Sequence, residues 1–387
     1  MLLRLALRNL LGAGLRTWLN VVVLSMSFVA IIGVQGLLDG MNRQAADAVR
    51  AAEYGGGQYW HPAYDPYDPF TLDDAHGPVP AELESLVRSG RAAAILVARG
   101  SIYPLGRMTP VLLKGIDPAQ AALELPAAAL ADTGELPLLV GNRMAQATGL
   151  HPLDAVTVQW RDRRGTFDAR LARVAEVMST TVPTVDNGQV WLPLERLRQM
   201  LDVTGEATLV VLAPGEPAPA VPGWVFRDTD YLLSDLTAVI RSKGVGSAII
   251  YTVLLLLAML AIFDTQVLSL FRRRREIGTL MALGMTRGQV IALFTLEGAL
   301  HGVLAGALAA LWGFPLLRAL AVNGWTLPPT SDSYGFAVGE TLFPQFTGAL
   351  VLATSAVVLL ATTVVSFLPT RRIARLKPTD ALRGRLT

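Results

Sequence analysis

Residues 246–263 read GSAIIYTVLLLLAMLAIF and contain no formally charged side chain. The apolar character continues past the single Asp264 to Phe271, and four consecutive arginines follow at positions 272–275. A helix rises about 1.5 Å per residue, so roughly 20 apolar residues cross a hydrocarbon core about 30 Å thick. The stretch therefore predicts a transmembrane helix over residues 246–271 that ends in a cationic cluster.

Three other runs have the same character. They cover residues 18–38, 289–317 and 342–369, and only the second is interrupted, by Glu297 and His301. The composition agrees, because 17% of all residues are charged whereas a soluble domain carries about 25%. Four transmembrane helices are expected, since lipid leaves an open chain no other way to satisfy its backbone polar groups.

The basic residues of the short loops orient these helices. Arginines precede the first run, separate the second from the third and follow the fourth, whereas residues 319–341 contain neither Lys nor Arg. The positive-inside rule then places both termini and the middle loop in the cytoplasm and the long segment after the first helix outside. The formal net charge of +2 largely reflects this asymmetry, so no nucleic-acid partner is expected.

The N-terminus predicts a membrane anchor rather than a cleaved signal peptide. Its apolar run of 21 residues exceeds the roughly 7–15 residues of a signal-peptide core. Upstream of it, leucines alternate with Arg4 and Arg8 at helical spacing. This spacing favours an amphipathic helix on the inner membrane face.

The sequence predicts an α-helical membrane protein with four transmembrane helices and a large α/β domain between the first two. The predicted parts are a cytoplasmic amphipathic helix (1–17), the first transmembrane helix (18–40), the outer domain (41–241), the second transmembrane helix (246–271), a cytoplasmic coupling loop (272–288), the third transmembrane helix (289–317), a short outer loop (318–341), the fourth transmembrane helix (342–369) and a cytoplasmic tail (370–387). Within the outer domain, β-branched or leucine-rich runs bounded by Gly, Pro or Asp predict strands at 95–97, 111–114, 138–140, 156–160 and 208–212. Short helices are expected at 142–149 and 194–201.

The lysines exclude a nucleotide-binding loop in this chain. They are Lys114, Lys243 and Lys377, and none follows a glycine, so no G-x-x-x-x-G-K-[ST] loop is present. No nucleophile and base set suggests a catalytic site. The sequence therefore predicts neither an enzyme nor a bound cofactor, and any ATP and magnesium would be bound by another chain.

The loop after the second run carries the most specific motif. Residues 272–290 read RRRREIGTLMALGMTRGQV. Ile277, Leu280 and Leu283 recur at helical spacing, which predicts a short amphipathic helix able to insert into a partner's groove. Glu276 would lie at the rim of that groove beside the arginines, and Gly284 could close the helix.

This motif resembles the cytoplasmic signature of the FtsX-like, or MacB and LolE type, permeases of ABC transporters. The matching residues are Arg275, Glu276, Ile277 and Gly278, followed by Ala282, Leu283 and Gly284, whereas Met281 stands where many relatives carry Arg. Residues 5–18, 139–160 and 369–383 are similar to other parts of the family. In that family the loop is the coupling helix that contacts the ATPase, a role the resemblance implies here for Arg275, Glu276, Ile277, Gly278, Leu280, Leu283 and Gly284.

The resemblance also implies a setting and partners. It implies a Gram-negative inner membrane with a MacB-type domain in the periplasm, a separate ATPase subunit, a second permease copy or sister permease, membrane lipids, and a periplasmic carrier or membrane-fusion protein. ATP-driven movement would be transmitted to the periplasmic domain, with lipoprotein release as the leading function. The alternatives are efflux of a peptide, antibiotic or siderophore, and FtsX-like regulation of a cell-wall hydrolase.

The polar residues within the apolar runs each allow a functional and a structural interpretation. Glu297 and His301 share one helix face, which is compatible with a proton relay or, more simply, with a packing and hydrogen-bond pair. Asp264 lies near the arginine cluster, which favours a structural ion pair or a cap over transport chemistry.

A polar segment of the outer domain is a weaker candidate for a metal site. Its potential ligands are His61, Asp65, Asp68, Asp73, Asp74 and His76. The four prolines at 62, 66, 69 and 78 favour a turn-rich surface loop instead.

Overall fold

The computed structural model describes residues 6, 15–131, 134–180, 182–326 and 341–373. Most of the predicted amphipathic helix 1–17 and of the tail 370–387 lies outside this range. The chain divides into a helical unit (1–42, 240–326 and 341–387) and a strand-rich unit (43–239 and 327–340).

Long helices build the helical unit, and five short helices between residues 81 and 232 belong to the strand-rich unit. In chain order the helices are α1 (Leu15–Val49), α2 (Ala81–Arg88), α3 (Asn142–Thr148), α4 (Pro183–Asp186), α5 (Leu194–Leu201), α6 (Thr229–Leu232), α7 (Ser234–Arg272), α8 (Arg274–Ala282), α9 (Arg287–Asn323) and α10 (Gly348–Ile373). A π-helical turn at Arg50–Tyr54 extends α1.

Among the described residues, three helices are long and apolar enough to cross a membrane: residues 18–54, 287–323 and 348–371. The remaining predicted span, 246–271, lies within the 39-residue helix α7, whose described apolar part is Ala248–Leu257. These helices are typical of a membrane protein, and the count of four spans stays a prediction.

A small residue allows α9 to pack closely against α1. A Cβ atom on Gly313 of α9 would lie 2.4 Å from Val29 Cγ2 of α1, so the two helices touch where only glycine fits. The Trp312 indole donates to Ser25 Oγ at 3.2 Å. Close approach through glycine and interhelical hydrogen bonding are usual devices of helices in lipid.

The strands build the other unit. They are β1 (Gln58–Trp60), β2 (Gly77–Pro78), β3 (Ala92–Tyr103), β4 (Thr109–Ile116), β5 (Leu136–Gly141), β6 (Ala155–Arg161), β7 (Phe167–Met178), β8 (Gln189–Pro193), β9 (Glu206–Ala207), β10 (Leu209–Leu212) and β11 (Val225–Arg227). A short ladder of β12 (Trp325–Thr326) and β13 (Thr341–Leu342) belongs to the helical unit.

Strand β3 organises the large sheet, whose order is β11-β1-β10-β3-β4-β8-β5-β7-β6. Residues 92–95 of β3 pair with β10, and residues 100–103 pair with β6, the last strand of the order. Because β3 also pairs with β4 over residues 96–102, six strands form a closed ring. Alternate residues of β3 enter two different cores, Leu96 in one and Val97 in the other, as the two-residue period of a strand requires.

Candidate coupling site

The backbone around residues 272–290 forms two helices separated by a tight connection. Helix α7 ends at Arg272, Arg273 has φ −94° and ψ 17°, and α8 follows from Arg274 to Ala282. Gly284 has φ +95°, a left-handed conformation that favours glycine, and its N–H donates to Met281 O at 3.1 Å. Gly284 thus follows the helix end as the sequence suggested.

A capping box starts α9 immediately afterwards. Thr286 Oγ1 accepts a hydrogen bond from the N–H of Gln289, and Gln289 Oε1 accepts one from the N–H of Thr286 at 2.9 Å. Such reciprocal caps fix the first turn of a helix. The position of α8 is therefore bounded at both ends by defined backbone geometry.

The apolar face of α8 is divided between the chain's own core and solvent. Ile277 is only 2% exposed and belongs to a cluster with Ala6, Val290, Leu293 and Phe294. This corrects the prediction that Ile277 faces a partner's groove, because the nearest apolar surface for so short a helix is the first part of α9.

The other predicted coupling residues differ in accessibility. Gly278 is buried, Leu280 is half-buried against the Ile277 cluster, and Met281 packs there too. Leu283, in contrast, is 79% exposed. Arg275, Glu276 and Gly284 are also exposed. The surface open to a partner is therefore the end of α8 at Leu283 together with its charged side.

Arg273 connects α8 to α9 through three charge-assisted hydrogen bonds. Its Nε and Nη2 donate to the two carboxylate oxygens of Glu276 at 2.6 Å each. Its Nη1 donates to Glu297 Oε1 of α9 at 2.7 Å, and its guanidinium lies 4.9 Å from the Phe294 ring centroid. Arg273 was not singled out from the sequence: its spacing from Glu276 is a helical signal, but Glu297 is 24 residues away.

The three polar residues predicted to lie within the membrane have different surroundings. The Nδ1–H of His301 donates to the main-chain carbonyl of Glu297 at 2.8 Å, which is a local hydrogen bond within one helix. The Glu297 side chain is 7% exposed and turns to Arg273. Asp264 is exposed on α7, and no ion pair joins it to another described residue.

The candidate metal ligands of residues 61–76 are spread over unrelated contacts. His76 pairs with Glu206, and Asp73 with Arg99. Asp65 and Asp68 accept hydrogen bonds from the N–H groups two residues ahead, as in Asx turns. Within the described part of the chain, no group of three or more His, Cys, Asp or Glu is arranged to hold a metal ion.

Comparison with known proteins places this site in a recognised domain. Residues 248–378 match the family described as FtsX-like permease C-terminal. Similar proteins include uncharacterized ABC transporter permeases of Methanocaldococcus jannaschii (28% identical, covering 41% of this chain and 39% of that protein) and Bacillus subtilis (27%, 40% and 37%). A macrolide export ATP-binding/permease protein MacB of Sodalis glossinidius is 30% identical over 40% of this chain and 22% of that protein. The chain thus spans less than half the length of these relatives.

Proposed function

We propose that the FtsX-like permease domain, which this chain carries in residues 248–378, makes the protein the membrane subunit of an ABC transporter. The ATPase would be a separate chain. Two observations support this: relatives matched over about 40% of this chain are named ABC transporter permeases, and this sequence lacks the lysine-containing phosphate loop.

The observation that carries the proposal is the Arg273 bridge. An ATPase that pushes on the exposed end of α8 can move the rest of the protein only if α8 is fixed to an apolar helix. The guanidinium provides that fixation by binding Glu276 of α8 and Glu297 of α9 at once, and the buried Ile277 reinforces it. Helices α8 and α9 would then move together as one rigid body.

The direction of transmission follows from the proposed topology. Four transmembrane helices, with both termini and residues 272–288 in the cytoplasm, would place the strand-rich unit in the periplasm. Helix α7 joins the chain of that unit directly to α8, since it runs without interruption from Ser234 to Arg272. The coupling site is thus the input, and the strand-rich unit is the output.

The substrate proposal has two branches. Lipoprotein release is the first, because this chain carries no ATPase motif of its own and resembles the LolE branch. Export of a small molecule is the second, and it is favoured by the two similar proteins that are named macrolide export proteins. Release of a lipoprotein to a purified periplasmic carrier, compared with extrusion of a macrolide from inverted vesicles, would distinguish the two.

The exposed Leu283 provides the test of the coupling proposal. We expect Leu283→Asp to abolish co-purification of the ATPase, because a buried interface anchor contributes about 2 kcal/mol or more to binding. The matched control is Leu171→Asp, which changes a leucine 65% exposed on β7 and should leave the complex intact. Normal assembly and ATP hydrolysis with Leu283→Asp, at an unchanged melting temperature, would refute the assignment of α8 as the coupling element.

A further inference from the structure

A cavity of about 370 Å³ in the strand-rich unit has six aromatic residues among the fifteen that line it. Its walls come from the first and last segments of that unit, residues 53–67 and 231–235, and from the sheet. Two of the chain's seven tryptophans and four of its eight tyrosines meet here: Tyr54, Trp60, Tyr64, Tyr67, Trp191 and Tyr231. A cavity of this size is typical of a small-molecule site, and its polar lining residues are Glu53, Gln58, Lys114, Ser234 and Asp235 besides the tyrosine hydroxyls.

The floor of the cavity holds a compensated charge pair. Lys114 Nζ donates to Glu53 Oε1 at 2.8 Å and lies 5.1 Å from the Trp191 ring centroid. Trp191 is fully buried, and its Nε1–H has no hydrogen-bond partner among the described residues. Trp191 thus brings a buried, unpaired donor to the residues that line the cavity.

The mouth is acidic and partly open. Asp235 is exposed and accepts a hydrogen bond from the Tyr67 hydroxyl, while Tyr231 is 47% exposed. Since Glu53 is balanced by Lys114, the lining as a whole carries one excess negative charge, at Asp235. A cation entering the cavity would meet a carboxylate first and aromatic faces next.

The rings already attract a cation elsewhere on their surfaces. The Arg227 guanidinium lies 4.2 Å from the Tyr231 centroid and 5.4 Å from that of Trp60, although Arg227 does not line the cavity. Trp60 and Tyr64 meet edge to face at 5.2 Å, which presents ring faces at different angles. Several ring faces around one space form the arrangement that binds ammonium groups.

We propose that this cavity binds the ammonium head of a small organic cation that also carries a hydrogen-bond acceptor. The aromatic walls would hold the cationic head, Asp235 would supply the opposite charge, and the Trp191 Nε1–H would donate to the acceptor oxygen. Such a head could belong to a free solute or to a lipid. The site lies entirely within the strand-rich unit, so it is independent of the coupling proposal.

Choline and its neutral isostere 3,3-dimethylbutan-1-ol test this proposal, because they share shape and hydroxyl but differ in charge. Both are titrated calorimetrically into the full chain in maltoside micelles. We expect choline to bind at least about fivefold more tightly than the alcohol. Tyr231→Leu and Asp235→Asn should each raise the Kd for choline at least about threefold, whereas Tyr103→Leu, which lies outside the cavity lining, should not.

Two further comparisons complete the test. In nanodiscs, a Kd for choline that rises with phosphatidylcholine but not with phosphatidylglycerol would identify a lipid headgroup as the source. An equal Kd in both lipids would identify a free solute. Equal affinity for choline and the alcohol would overturn the proposal. So would wild-type affinity in Asp235→Asn and Tyr231→Leu, provided that their melting temperatures match that of the wild type.

Discussion

Removing Arg273 should destabilise the helical unit mainly through one of its two carboxylate partners. Arg273→Met leaves the Glu297 carboxylate, 7% exposed, without its guanidinium. Breaking a buried ion pair from one side costs about 3–5 kcal/mol. Glu276 is 44% exposed, and an exposed pair contributes about 0–1 kcal/mol. We therefore expect Arg273→Met to lower the free energy of unfolding by about 3 kcal/mol or more, and Glu276→Gln by less than about 1 kcal/mol.

The double variant separates stability from coupling. Arg273→Met combined with Glu297→Met removes both charges, and replacement of a buried pair by apolar side chains is often neutral or stabilising. Most of the lost stability should therefore return. The connection between α8 and α9 should not return, so hydrolysis by the bound ATPase would no longer respond to substrate.

The assay is equilibrium unfolding of the full chain in mixed micelles, with a thermodynamic cycle over wild type, both single variants and the double variant. A coupling energy of at least about 1.5 kcal/mol between Arg273 and Glu297 is expected. A value below about 0.5 kcal/mol, or an equal loss of stability in Glu276→Gln and Arg273→Met, would refute this reasoning.

Three other predictions concern the rest of the chain. Ile277→Asp should lower the melting temperature of the full chain, because Ile277 is buried in its own core. Burial alone would raise the pKa of Glu53, but the charge of Lys114 and hydrogen bonds hold it below its ordinary value of 4.5. Lys114→Met should therefore cost about 3–5 kcal/mol of unfolding free energy at neutral pH, a loss that shrinks as the pH falls through the depressed pKa. Because the chain has no cysteine, cysteines introduced at Ala169 and Gly288 can be labelled selectively, and they should react from opposite sides of the membrane. Two results would contradict these expectations. One is a difference in unfolding free energy between wild type and Lys114→Met that does not change with pH, and the other is labelling of both cysteines from one side only.

Ala169 is suited to this labelling because it is exposed on β7, whereas Thr133 lies outside the described residues.

The sequence was informative where the pattern is local. Residues 95–97, 111–114, 138–140 and 156–160 were predicted as strands, and they lie within β3, β4, β5 and β6. The family resemblance is confirmed by the match of residues 248–378. Both rest on neighbouring residues, whose hydrophobic period and spacing can be read directly.

The sequence was uninformative where function depends on distant residues. Helical spacing places Ile277 and Leu283 on related faces of α8, but it does not show that α9 covers the first and leaves the second exposed. Helical spacing pairs Glu297 with His301, four residues away, whereas the turn between α7 and α8 brings Arg273 to the Glu297 carboxylate. The aromatic cavity likewise joins residues 53–67 to 231–235, a separation that no local pattern reveals.

The Arg273 bridge is proposed to carry the state of the ATPase to the strand-rich unit. The most direct test is the labelling rate of a cysteine at Ser234, the exposed first residue of α7, in the complex with its co-purifying ATPase. The rate should differ between the nucleotide-free and ATP-bound complexes of an otherwise wild-type chain. It should lose this difference in the Arg273→Met and Glu297→Met double variant, with the ATPase still bound. A double variant that keeps the full nucleotide dependence would contradict the claim.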